Sequence, residues 1–130
     1  MNLQIYSIDE LLLTAMKAEF ESKNLYSKLS NRVENFLLKE RLNFLANEEG
    51  KHQIIFESLY TKIFPGKKID LPSKSPVPLP KINTETETTP ISKILESAMD
   101  AEKTAYDFYL GISERIDNKP DIKIKAGDFK

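Results

Sequence analysis

Three stretches of this chain place apolar residues at alternating steps of four and three, and ionisable residues interrupt each series near its middle. The first series is Ile8, Leu12, Ala15, Glu19, Ser22, Tyr26 and Leu29. The second is Leu38, Leu42, Leu45, Glu49, His52, Phe56, Leu59 and Ile63, and the third is Ile91, Leu95, Ala98, Glu102, Ala105, Tyr109, Ile112 and Ile116. Such steps hold side chains on one stripe of a 3.6-residue helix. The pattern therefore predicts three long helices and an all-α fold. Boundary signals agree with it. Ser7 and Glu10 have the N-cap to N3 spacing of a capping box, a break is expected near Ser30 to Arg32, Phe64-Pro65-Gly66 stops the second helix, and Thr89-Pro90 starts the third.

Six of the seven prolines fall between Pro65 and Pro90, with the polar run Asn83 to Thr89 among them. No helix interior or central strand accommodates that density. The expected organisation is a helical hairpin over 1–64, a Pro-rich crossover linker over 65–90, a third helix over 91–116 and an irregular tail over 117–130. A linker of this length reaches about 80 Å when extended, against about 40 Å for a helix of similar residue count. It can set the third helix parallel to the second or carry it to another subunit. Within it, Ser73 to Pro80 is more simply a spacer than a polyproline ligand. A repeat adds detail: Ala15-Met16-Lys17-Ala18-Glu19 recurs as Ala98-Met99-Asp100-Ala101-Glu102 and Tyr26 as Tyr109, at a constant offset of 83. Helices one and three thus occupy equivalent positions, as in a bundle of two related hairpins.

Composition removes whole classes of function. Nineteen basic against twenty acidic residues leave a net charge of −1, without the basic field that draws nucleic acid or an anionic membrane. The absence of cysteine excludes disulfides, thiol nucleophiles, zinc ribbons and iron–sulfur clusters. A single histidine, His52, cannot supply the paired imidazoles of a zinc protease helix. No apolar run approaches the roughly 18–20 residues of a membrane span, and Met1 to Ile5 lacks a signal pattern. The expectation is a soluble, cytoplasmic protein.

What remains is the set of interruptions. A carboxylate inside an apolar stripe loses hydration and must take up a proton or find a cation. Glu19, Glu49, His52 and Glu102 all lie near mid-helix and so at similar depth in a bundle. Glu49 and His52 form a Glu-x-x-His pair that can aim an oxygen and an imidazole nitrogen at one ion. Hard oxygens with imidazole suit iron or manganese, and zinc stays open.

These words resemble the rubrerythrin branch of the ferritin-like di-iron carboxylate proteins. Ala18-Glu19-Phe20-Glu21 with Tyr26 is similar to the family's first helix, Phe44 through His52 to its second, and Ala101 through Tyr109 to its third. The resemblance implies a ferritin-like helical bundle in which Glu19, Glu49, His52 and Glu102 ligate iron, two ions to a site. It also implies that Tyr26 and Tyr109 hydrogen-bond to those ligands, although the residues alone read more simply as packed aromatics. The family reduces hydrogen peroxide and often draws electrons through a rubredoxin-like four-cysteine domain, for which this cysteine-free sequence would need an external donor. A ferroxidase is the other activity implied. Glu21 and Glu48 read as ordinary solvated charges.

The departure from the family is the fourth helix. The offset of 83 would place a second Glu-x-x-His at positions 132 and 135, and residues 117–130 contain neither. Two hairpins related by a two-fold axis would supply four carboxylates and two imidazoles, whose four negative charges balance two divalent ions. The expected assembly is therefore a homodimer or a domain-swapped oligomer that completes the bundle and shares the metal site. An uncovered apolar groove, costly at roughly 25 cal/mol per Å², favours association independently. The expected function is a di-iron or di-metal carboxylate oxidoreductase of rubrerythrin type. The alternative is a shortened, metal-poor helical module acting in oligomerisation or partner binding without turnover.

Overall fold

The computed structural model describes residues 3–79 and 89–116. The expected tail over 117–130 and part of the linker lie outside the described residues. After a short 3-10 turn at Leu3–Ile5 come three helices, α1 (Ile8–Arg32), α2 (Phe36–Ile63) and α3 (Ile91–Ile116), with no strand among the described residues.

Local chemistry sets the helix ends. The Ser7 Oγ accepts the Glu10 N–H while Glu10 accepts the Ser7 N–H, so the capping box that starts α1 is closed in both directions. The turn between α1 and α2 is Val33 to Asn35, slightly later than the expected break. Its determinant is Asn35, whose side chain accepts the Leu38 N–H and caps α2. Ser30 then pins the two helices together, its hydroxyl donating to Asn43 at 2.6 Å and its carbonyl accepting from Lys39 at 2.9 Å. Beyond α2 the chain turns at Gly66, whose φ of +81° lies in the left-handed region that glycine enters freely.

α1 is the spine of the molecule. It packs on α2 along most of its length and on α3 along a second flank. This is why it buries Leu11, Thr14, Met16, Leu25 and Ser30 in addition to the expected stripe. α2 runs antiparallel to α1. α3 does too, since Tyr26 bonds to Glu102 and Glu19 to Tyr109. α3 therefore lies parallel to α2. The linker is seated at Val77, which is fully buried and donates its N–H to Thr14 Oγ1 at 3.2 Å. At the C-terminal end of α3 the Arg115 guanidinium donates to the Leu3 and Tyr6 carbonyls, and Gly111 leaves room for the Leu3 side chain.

The core has two apolar clusters rather than one. The first gathers Leu11, Leu12, Ala15, Met16, Phe56, Leu59 and Tyr60 with Tyr109, Ile112 and Ile116. The second gathers Leu25, Tyr26, Leu29 and Val33 with Leu42, Ala46, Ile94 and Ala98. Glu19, Glu49 and His52 lie between them along the helices, all buried.

The 83-residue offset relates α1 to α3 in space as well as in sequence. Residues on their shared seam are buried on both copies: Leu11 and Ile94, Ala15 and Ala98, Leu25 and Phe108, Leu29 and Ile112. The flank that α2 covers on α1 behaves differently on α3. Met16 is 0% exposed, whereas its equivalent Met99 is 63% exposed.

Candidate metal centre

The polar layer is built from all three helices. Glu19 comes from the middle of α1, Glu49 and His52 from one face of α2, and Glu102 from α3. Glu19, Glu49 and His52 converge, each offering one ligand atom within 4.8 Å of the other two. His52 Nδ1 lies 3.5 Å from Glu19 Oε2 and 3.8 Å from Glu49 Oε2. Atoms sharing an ion at about 2.0–2.2 Å are at most about 4.4 Å apart, a limit that both of these separations meet.

Glu102 stands outside that group of three but next to it. Its Oε1 accepts the Tyr26 hydroxyl at 3.2 Å. Burial first, then the adjacent Glu49 carboxylate, push its pKa up to about 8, against the opposing influence of Tyr26 and His52. Burial pulls the His52 pKa down, but Glu49, Glu102 and Glu48 outweigh it and leave the imidazole above its usual value. Both groups are thus shifted toward their protonated forms.

The two tyrosines bond crosswise, each to the glutamate of the other helix. Tyr109 donates to Glu19 Oε1, and Tyr26 donates to Glu102. This crossing follows from an antiparallel pair of equivalent helices, and the repeat alone did not reveal it because it carries no direction. Burial leads the causes that raise both phenols above their ordinary range, so they are proton donors and not phenolates. The Phe56 ring packs 4.9 Å from the Tyr109 ring and forms an apolar side of the site. Glu21 and Glu48 pair with Lys17 and Lys51 at the surface, as solvated charges do.

One atom of the cage stands apart. Glu19 is 2% exposed, and its Oε2 has no hydrogen-bond partner among the described residues. A buried carboxylate oxygen that accepts no hydrogen bond is costly unless a cation compensates it. Facing Glu49 and His52, it fits a divalent metal held by oxygen and imidazole.

The rubrerythrin family model matches residues 10–123. The chain belongs to the rubrerythrin family. It is therefore a ferritin-like helical protein, in keeping with its three helices. A solved structure described as a hypothetical protein from Pyrococcus furiosus is 35% identical, with a TM-score of 0.69 over 85% of this rubrerythrin-family chain and 71% of that one. No curated protein matches. Among the described residues, no helix is long and apolar enough to cross a membrane.

Proposed function

We propose that this chain is a di-metal carboxylate oxidoreductase of rubrerythrin type, using iron to reduce hydrogen peroxide or to oxidise ferrous ions. The observation that carries the reading is Glu19 Oε2, buried without a hydrogen bond and facing Glu49 and His52. Glu19, Glu49 and His52, with Glu102 beside them, would hold the metal; manganese and zinc suit the same donors. A bound pair of ferrous ions would supply the two electrons that, with two protons, reduce peroxide to two waters.

The chain's own residues supply position and dryness. Tyr109 fixes the rotamer of Glu19 by holding Oε1 and leaving Oε2 for the ion, and Tyr26 does the same for Glu102. The apolar clusters on either side keep bulk water from Glu19 and Glu49. Electrons for repeated turnover would come from an external donor. A cytoplasmic location belongs to the same proposal.

Association of two chains is part of the reading, and the exposed flank of α3 at Met99 supports it. A symmetric pair of hairpins sharing one site would have to displace α3, breaking both Tyr–Glu bonds. Contact through the outer flank of α3 keeps them. The same exposed flank supports the second reading, a binding module without turnover.

Anaerobic loading with ferrous iron followed by peroxide distinguishes the two. The enzyme reading expects retained iron and oxidation faster than that of the free ion. Less than half an iron per chain, with no acceleration, overturns it in favour of the binding module.

A further inference from the structure

We propose that Tyr60 is a redox-active side chain, where a one-electron oxidation begun at the polar layer comes to rest as a neutral tyrosyl radical while Asp9 takes the phenolic proton. The proposal rests on the proposed function only for the source of the oxidising equivalent. The Tyr60 site itself lies outside the polar layer.

Three parts of the chain assemble the site. Tyr60 stands near the end of α2 and is 1% exposed. Its hydroxyl donates to Asp9 Oδ1, in the first turn of α1. Lys67, just past the Gly66 turn, donates to the same oxygen at 3.2 Å, and its ammonium lies 6.0 Å from the Tyr60 ring centroid and 5.3 Å from that of Phe64. A buried phenol is thus held against a carboxylate that is partly exposed. One-electron oxidation turns a phenol into a strong acid, so the proton leaves with the electron, and a hydrogen-bonded carboxylate is the base placed to receive it.

Aromatic contacts link this phenol to the layer. Tyr109, which donates to Glu19, packs its ring 4.9 Å from Phe56. Phe56 and Tyr60 are four residues apart on α2, with about 5–6 Å between their β-carbons, and share one apolar cluster. Tyr26 and Tyr109 bond to Glu102 and Glu19, both candidate metal ligands, whereas Tyr60 bonds to a carboxylate that has no such duty. Asp9 therefore stays available as a base whether or not the cage is filled.

Electrons and protons balance along this route. Peroxide that receives one electron instead of two splits into hydroxide and a hydroxyl radical. That radical takes the phenolic hydrogen atom of Tyr109 and becomes water. Tyr60 then gives one electron across Phe56, its proton passes to Asp9, and Tyr109 recovers a proton from solvent. An external one-electron donor beside the exposed Lys67 returns the electron to Tyr60, and Asp9 returns the proton. Oxidising equivalents are thereby carried away from the ligands.

Two oxidations of the full-length protein, read by electron paramagnetic resonance, test the assignment. Both use a Tyr6→Phe, Tyr106→Phe background, which removes the other two phenols of the sequence. One is metal-free and photochemical, with a ruthenium tris-bipyridyl sensitiser and persulfate. The other adds sub-stoichiometric peroxide to protein loaded anaerobically with ferrous iron. Tyr60→Phe should remove the long-lived tyrosyl signal in both, and Tyr109→Phe only in the second. Asp9→Asn keeps a hydrogen-bond acceptor but not the base, and should slow radical formation by more than about tenfold. Lys67→Met removes a positive charge beside the ring and should speed it. A merely structural tie would be loosened by both changes alike, so rates that move in the same direction overturn the proposal. A long-lived signal that survives Tyr60→Phe, or a peroxide-driven one that survives Tyr109→Phe, overturns it as well. Circular dichroism shows that each variant is folded. Protein that retains no iron would overturn the metal-centre reading, while the photochemical oxidation still decides the role of Tyr60.

Discussion

Glu19 and Glu102 are equivalent in sequence and bonded alike, yet their surroundings assign them different energies. Tyr109 bonds to Glu19 where both groups are buried, whereas the Tyr26 bond reaches a half-buried carboxylate. Tyr109→Phe should therefore leave Glu19 with neither oxygen hydrogen-bonded and cost about 1–3 kcal/mol in the metal-free protein. Tyr26→Phe should cost less, since water replaces the lost hydroxyl. Urea unfolding of the two variants measures the difference, and equal losses would contradict the asymmetry of burial. The raised pKa values give a second test. A carboxyl whose folded value, about 8, exceeds its ordinary value of 4.5 binds its proton more tightly in the folded state. The stability it contributes is present below pH 4.5 and is lost as pH rises through about 8. His52, also raised, acts in the same direction. Metal-free protein should accordingly lose urea resistance from about pH 5 to about pH 8, while metal, which needs the deprotonated groups, reverses the slope. The four ionisable positions were legible as interruptions of apolar stripes. Their grouping into three plus one was not, because it depends on which flank of α1 each partner helix occupies.

At the scale of elements, the chain shows where periodicity informs and where it fails. The start of α1 was written in Ser7 and Glu10, and its capping box is formed. The turn into α2 lay a few residues beyond the expected break because Asn35 caps the helix, and a polar side chain in a polar stretch gives no periodic signal. One stripe per helix was read for α1, but a helix with neighbours on two sides buries two. Thr14 shows the consequence. It lies off the stripe, yet it is fully buried and accepts the N–H of Val77, so that the linker is held against α1 by a contact between residues 63 positions apart. Thr14→Val keeps the shape and adds apolar surface, but leaves a buried N–H without an acceptor. The expected result is destabilisation of about 1–3 kcal/mol, not the gain that hydrophobicity alone would suggest. The unfolding midpoint decides between them, and protease resistance of the linker should fall with it.

For the whole molecule, the 83-residue offset makes a pair of substitutions into an internal control. Met16 and Met99 occupy equivalent turns of α1 and α3, precede Glu19 and Glu102 by the same three residues, and differ in what covers them. In a single chain, Met16→Ala opens a cavity between α1 and α2 and should cost about 2–5 kcal/mol. Met99→Ala removes a mostly solvated side chain and should cost within about 0.5 kcal/mol. If two chains meet through the outer flank of α3, that second figure no longer holds. Met99→Ala would then approach the cost of a core truncation, and its effect would depend on protein concentration, because association adds to apparent stability by mass action. Thermal unfolding of both variants across a hundredfold range of concentration, with mass measured by light scattering, reads the two cases directly. A small, concentration-independent Met99 effect in a monomeric protein would remove the dimer and leave the centre to one chain. A large, concentration-dependent effect would place a second copy on α3. Either outcome preserves the Met16 value, since α2 covers that residue within each chain.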